Sequence, residues 1–129
     1  LIAVDTSALM AVILDEPEGP ACIDALSAND EIVISAATLA EAHIVADQRN
    51  VGHLMRSMIA GLPIATVPFS AETAIRVAEI YSRWGKGRHP ARLGLIDCFS
   101  YDVAAEHQCP LLFVGDDFAR TDIVSALAL

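Results

Sequence analysis

A chain of 129 residues with 54% hydrophobic and 19% charged residues can bury a sizeable core, and its composition excludes a disordered or linker-like protein. Its net charge of −9 has the wrong sign for broad, sequence-independent binding to nucleic acid. The longest apolar run, Ala8 to Leu14, falls far short of the ~20 residues that cross a bilayer, and the three cysteines (Cys22, Cys98, Cys109) are odd in number and lack C-x-x-C spacing, which argues against a disulfide framework and a structural zinc site.

Apolar β-branched runs alternate with helical patterns, the mark of βαβ units on a parallel sheet in one α/β domain. Ile2-Ala3-Val4-Asp5 reads as a buried first strand rather than as a charged leader, so the chain is expected to be cytoplasmic. Ser7 is expected to cap a helix over Ala8–Leu14 that Pro17 ends. A second helix is expected over Pro20–Ala28, then a short strand at Ile32-Val33-Ile34. Ser35 stands at an N-cap position before a helix over Ala37–Gln48, and another runs from Gly52 to Ala60, closed by Gly61. Ile64–Val67 is the third strand. Ser70 caps a long helix, Ala71–Trp84, which Gly85 stops. Residues 85–94 form a basic loop containing Gly and Pro, and Leu95–His107 is helical. Leu111–Val114 is the fourth strand, Gly115-Asp116-Asp117-Phe118 a turn, and Ile123-Val124 a candidate short fifth strand.

The acids fall at informative places. Asp5 ends the first strand and Asp116 and Asp117 follow the fourth. Glu41 lies in the helix after the second strand, and Asp97 near the start of a later one. In open α/β sheets the carboxyl ends of the strands line the ligand crevice, so residues distant in sequence converge there. Each acid alone has an ordinary explanation: a helix cap for Asp5, complement to a helix dipole for Asp97, a solvent-facing position for Glu41, a turn for Asp116 and Asp117. Together they form an oxygen-rich set without a matching lysine, the donor type that Mg²⁺ or Mn²⁺ takes. Such a cation activates water and neutralises charge on a phosphate oxygen. The four histidines lack H-E-x-x-H spacing, and His43, His53 and His107 read as ordinary helix residues.

Four segments carry a resemblance: Ile-Ala-Val-Asp-Thr-Ser-Ala-Leu at 2–9, Ser-Ala-Ala-Thr-Leu-Ala-Glu-Ala at 35–42, Leu-Gly-Leu-Ile-Asp-Cys-Phe-Ser-Tyr at 93–101 and Leu-Leu-Phe-Val-Gly-Asp-Asp-Phe at 111–118, with Arg-Thr-Asp-Ile at 120–123 downstream. In this order and spacing they resemble PIN domains, most closely the VapC toxins of type II toxin–antitoxin modules. The resemblance covers nearly the whole chain. It implies a three-layer α/β/α fold with a mostly parallel sheet of four to five strands. It further implies Mg²⁺- or Mn²⁺-dependent endoribonuclease activity on tRNA, rRNA or mRNA, a homodimer, and inhibition by a VapB-like antitoxin. By position, Asp5, Glu41 and Asp97 match the family's core acids and Asp116 is taken as the fourth, with Asp117 as the alternative. Asp5 and Asp97 would be the main metal ligands, Glu41 and Asp116 would orient water or a second ion, and Thr6 or Ser7 would orient Asp5.

Arg83, Lys86, Arg88 and Arg92 make up half of the eight basic residues within a ten-residue span, the segment best suited to grip RNA phosphates. Few aromatics, 5%, argue against reading single strands by base stacking. An aspartyl-phosphate phosphatase is disfavoured: Ser7 stands where that pattern wants a second acid, and the one lysine, Lys86, lies in a glycine-flanked loop. A non-catalytic binding module is disfavoured by the intact acid set.

Overall fold

A computed structural model describes residues 1–127. Four short strands, β1 (Ile2–Val4), β2 (Ile32–Ser35), β3 (Ile64–Val67) and β4 (Leu111–Leu112), form a parallel sheet in the order β3-β2-β1-β4. Among the described residues six α-helices surround it: α1 (Thr6–Ile13), α2 (Gly19–Ser27), α3 (Ala36–Gln48), α4 (Gly52–Gly61), α5 (Ala71–Trp84) and α6 (Leu95–Glu106). None is long and apolar enough to cross a membrane.

The three layers follow from alternation along the strands, because successive strand residues point to opposite faces. Ile2, Val4, Ile32, Ile34 and Leu112 pack on one face with Leu9, Cys22, Leu26, Ala42, Ala46 and Met55 of α1–α4. Ala3, Val33, Leu111 and Phe113 face the other side and meet Val77 and Trp84 of α5 and Cys98, Phe99, Tyr101 and Val103 of α6.

The chain runs outward from β1 through β2 to β3, then returns to place β4 on the other flank of β1. The strand order therefore reverses between β1 and β4. At such a switch point the loops leaving the two strands diverge and open a crevice at their carboxyl ends. Asp5 leaves β1 there, and residues 113–117 leave β4.

Four local expectations are corrected. The cap of α1 is Asp5, whose side chain accepts from the Ser7 N–H, and the helix starts at Thr6. α1 ends at Ile13, before Pro17, in a turn where Asp15 adopts φ 54°. β4 is cut to two residues because the Val114 N–H turns to Ser7 Oγ at 3.0 Å instead of continuing a ladder. Beyond it there is one parallel bridge, Leu111 with Ser125, in place of a fifth strand at Ile123-Val124.

Candidate active site

Asp5 is buried, 5% exposed, at the β1–α1 junction. Its backbone N–H still belongs to the sheet, donating to the Leu112 carbonyl at 3.0 Å, so the backbone next to the side chain is pinned at the crevice. Its carboxylate is held through both oxygens. Oδ2 accepts from the Ser7 N–H at 3.1 Å and the Ser7 hydroxyl at 2.7 Å, and Oδ1 accepts from the Ser100 hydroxyl at 2.6 Å. Ser7 thus orients Asp5, while also accepting from Val114 and so joining the β1 and β4 exits. Thr6 points elsewhere, donating to the Thr38 carbonyl at 3.3 Å.

Asp97 lies in the first turn of α6, where its Oδ2 accepts from the Gly94 N–H at 2.9 Å. Burial pushes its pKa up to about 6. The Gly94 bond opposes this, and the charges of Asp5, Asp117 and Glu41 push further upward. Glu41, half-buried on α3, is raised first by burial, lowered by the neighbouring Thr6 hydroxyl and raised again by the charge of Asp5. The two shifts share a neighbour: the charge of Asp5 acts on both Asp97 and Glu41, and those of Asp117 and Glu41 act on Asp97. Among the described residues none of the four has an ion pair with Lys or Arg.

Asp116 and Asp117 are both exposed in the turn after Gly115, whose φ of 107° suits only glycine and swings the chain away from β4. Only Asp117 is among the charges that raise Asp97. Both acids line a cleft of about 430 Å³ with Lys86, Arg92 and Arg120. The four-acid site and this basic cleft thus share Asp117.

The basic segment is better ordered than its composition suggests. Lys86 N–H bonds to the Leu93 carbonyl and Leu93 N–H to that of Trp84, while Ala91 N–H bonds to His89 Nδ1. Ala91 and Leu93 are buried, and the His89 ring meets the edge of Trp84 at 4.6 Å. A side chain at position 85 would place Cβ 2.5 Å from the Tyr81 carbonyl oxygen, so glycine is required there. The structure divides the predicted basic residues. Lys86 and Arg92 line the cleft; exposed Arg88 does not; Arg83 stacks over Trp84 at 4.6 Å and lies 3.8 Å from Asp122. Arg120, given no role from the sequence, joins the cleft and donates to the Pro90 carbonyl at 3.3 Å. Its signal was its place in the Arg-Thr-Asp-Ile segment, just past the acids. Ser100 was also missed, although it stands one helical turn after Asp97.

Among the described residues no three His, Cys, Asp or Glu side chains close on one point as a ready-made cage. Mg²⁺ keeps most of its waters and takes one or two carboxylates, so a looser acid cluster without a basic partner suits it.

The comparisons bear on the family and the fold. The PIN domain model matches residues 2–124. The chain is 35% identical over 127 residues to a protein named Ribonuclease VapC from Mycolicibacterium smegmatis, covering 96% of this chain and 98% of that one. It is 39% identical over 127 residues to Ribonuclease VapC36 of Mycobacterium tuberculosis, covering 93% and 89%. In fold it is similar to the crystal structure of M. tuberculosis VapC20, described as a sarcin-ricin loop cleaving toxin, with TM-score 0.78, 16% identity and coverage of 96% and 97%. It is similar also to a toxin-antitoxin complex from Klebsiella pneumoniae, with TM-score 0.72, 18% identity and full coverage of both chains. The sheet order, the acids at its switch point and these matches lead to one conclusion: the chain belongs to the PIN domain family, within its VapC group.

Proposed function

We propose that this protein is a Mg²⁺- or Mn²⁺-dependent endoribonuclease, the toxin of a type II toxin–antitoxin module, acting in the cytoplasm as one domain. The observation that carries the reading is the Asp97 carboxyl, pushed up to about 6 first by burial and then by the charges of Asp5, Asp117 and Glu41, while among the described residues none of these four acids pairs with Lys or Arg. Charge concentrated in this way needs a cation. Asp5 and Asp97 would hold it, with Glu41 and Asp117 completing its surroundings; Asp117 is favoured over Asp116 because its charge reaches Asp97. When bound, the cation neutralises the phosphate's developing charge and makes water a stronger nucleophile.

The chain's own residues do the rest. Ser7 and Ser100 keep Asp5 from turning away. Glu41, its basicity increased by burial, takes the proton of the attacking water at its carboxylate oxygen. Lys86, Arg92 and Arg120 bind backbone phosphates beside the acids, so a net charge of −9 is compatible with an RNA substrate. Arg83 and Arg88 lie outside that cleft and would make at most peripheral contacts. Relatives named as ribonucleases and a structural neighbour described as a toxin-antitoxin complex support the same reading, including a VapB-like antitoxin partner; the homodimer is proposed on the family resemblance alone.

The test is expression of the chain with and without its genomic neighbour, followed by mapping of RNA 5′ ends. Growth arrest with one discrete set of new ends, relieved by the neighbour, is the expected result. Unaltered RNA during arrest would overturn the assignment.

A further inference from the structure

The hydrogen bonds that hold Asp5 do not stop at its neighbours. Ser100 is 1% exposed and Thr38 fully buried, and their hydroxyl oxygens lie 3.0 Å apart. A carboxylate only accepts, so the Ser100 proton goes to Asp5 Oδ1 and Thr38 must donate to Ser100 Oγ. Two hydroxyls are thus aligned in series on one carboxylate oxygen, an arrangement in which each bond polarises the next.

The placement of the pair is informative. Ser100 is three residues after Asp97 on α6, and Thr38 three residues before Glu41 on α3. Residues three apart share a helix face, so each hydroxyl stands one turn from an acid of the cluster. Ser100 lies between Phe99 and Tyr101 in a buried stretch of α6 that alanine would fill for packing alone. We propose that Ser100, backed by Thr38, is a positioning residue that fixes Asp5 in the single rotamer in which Oδ1 meets Ser100 and Oδ2 meets Ser7, coupling the three elements that carry the acids. The proposal rests on reading the acid cluster as a divalent-cation centre.

The test compares the parent with Ser100→Ala, Thr38→Val and Thr38→Ser, using Mn²⁺ alone as the probe in titration calorimetry. Removing a group that orients a ligand typically weakens a metal by about 10- to 100-fold. Ser100→Ala is expected to raise the Mn²⁺ Kd by that factor, Thr38→Val to raise it about threefold to tenfold, and Thr38→Ser to restore the parent's value. In parallel, NMR couplings of Asp5 in the metal-free protein should report one rotamer in the parent and averaging in Ser100→Ala. Binding within twofold of the parent for both hydroxyl-free variants, with Asp5 still fixed, overturns the proposal even if their Tm falls. If the parent takes up no Mn²⁺, the cation reading fails separately. The rotamer comparison then decides the role of Ser100: an averaged Asp5 in Ser100→Ala supports it and a fixed one overturns it.

Discussion

Asp97 and Asp102 sit little more than one turn apart on α6, the first half-buried and the second buried, and they are there for opposite reasons. Asp102, its side chain 4% exposed, is gripped by Arg76, with Nε donating to Oδ1 at 2.7 Å and Nη2 to Oδ2 at 3.1 Å. This is the two-pronged geometry that makes a buried carboxylate tolerable, and it fastens α5 to α6. Asp97 has one backbone N–H and three other acids. A carboxylate with its counter-charge built in serves the fold; one surrounded by like charge is held there for something that binds. The pair also shows why counting acids in a sequence is a poor guide to a site: Asp102 is the more deeply buried and the less chemical of the two.

The largest effect expected from breaking this contrast is on cleavage. Asp97→Asn keeps an oxygen for the Gly94 N–H but loses the charge, and a cation centre supplies several kcal/mol, so RNA cleavage should fall about 10³-fold or more. Asp102→Asn should leave cleavage within about threefold of the parent while costing about 1–3 kcal/mol of stability, the range for hydrogen bonds to charged groups. Cleavage assays beside urea unfolding of both variants check the crossing. An active Asp97→Asn protein would remove the contrast.

The next effect concerns pH. The folded protein holds the Asp97 proton up to about pH 6, against an ordinary value of 3.8. A raised carboxyl pKa means that the unfolded chain gives up the proton first. The contribution of Asp97 is therefore intact below about pH 4, is lost as pH rises through 6, and stays lost above. Metal-free Asp97→Asn should gain stability relative to the parent at pH 7.5 and show little gain at pH 4, read by urea unfolding. Because protons compete with the cation, cleavage by the parent should drop as pH falls below about 6. A pH-independent stability difference would mean that burial and neighbouring charge do not raise the Asp97 carboxyl.

A smaller effect separates the basic residues. Neutralising Lys86, Arg92 and Arg120 together should reduce the salt dependence of RNA binding by a slope of about 2, at ~0.7 per phosphate contact for single strands. Arg83→Gln, stacked on Trp84 outside the cleft, should leave the slope unchanged. Binding to the cleavage-deficient Asp97→Asn protein measures both. Smallest is the split between the neighbouring acids, where Asp117→Asn should slow cleavage more than Asp116→Asn.

Much of this was legible in the sequence because it is local. The unbroken apolar run Ile2-Ala3-Val4, the Ser35 and Ser70 caps, and the glycine at 85 each act within a few residues. The parallel order follows from alternating strands and helices, and the convergence of Asp5, Glu41 and Asp97 from the rule about strand ends. What escaped was set by contacts across the sheet. Ser7 was read as a helix cap and, from the resemblance, as one of two residues that could orient Asp5; it does orient Asp5, but its second partner, Val114, lies 107 residues away and was not foreseen. Val114 then cannot extend β4. The arrangement of Asp116 and Asp117 depends on a turn with positive φ at Gly115, and Arg120 reaches the basic cleft only because the 85–94 loop folds back toward it. Nothing in the spacing of Ser100 and Thr38 announces a hydroxyl pair that bridges two helices.

The central claim, that the acid crevice works through a bound divalent cation, is tested most directly by cleavage of one purified RNA with the protein freed of any co-purifying partner. The account predicts cleavage in Mg²⁺ or Mn²⁺, its loss in excess EDTA, and full recovery at the same positions when the metal is restored. Undiminished cleavage in EDTA would contradict it.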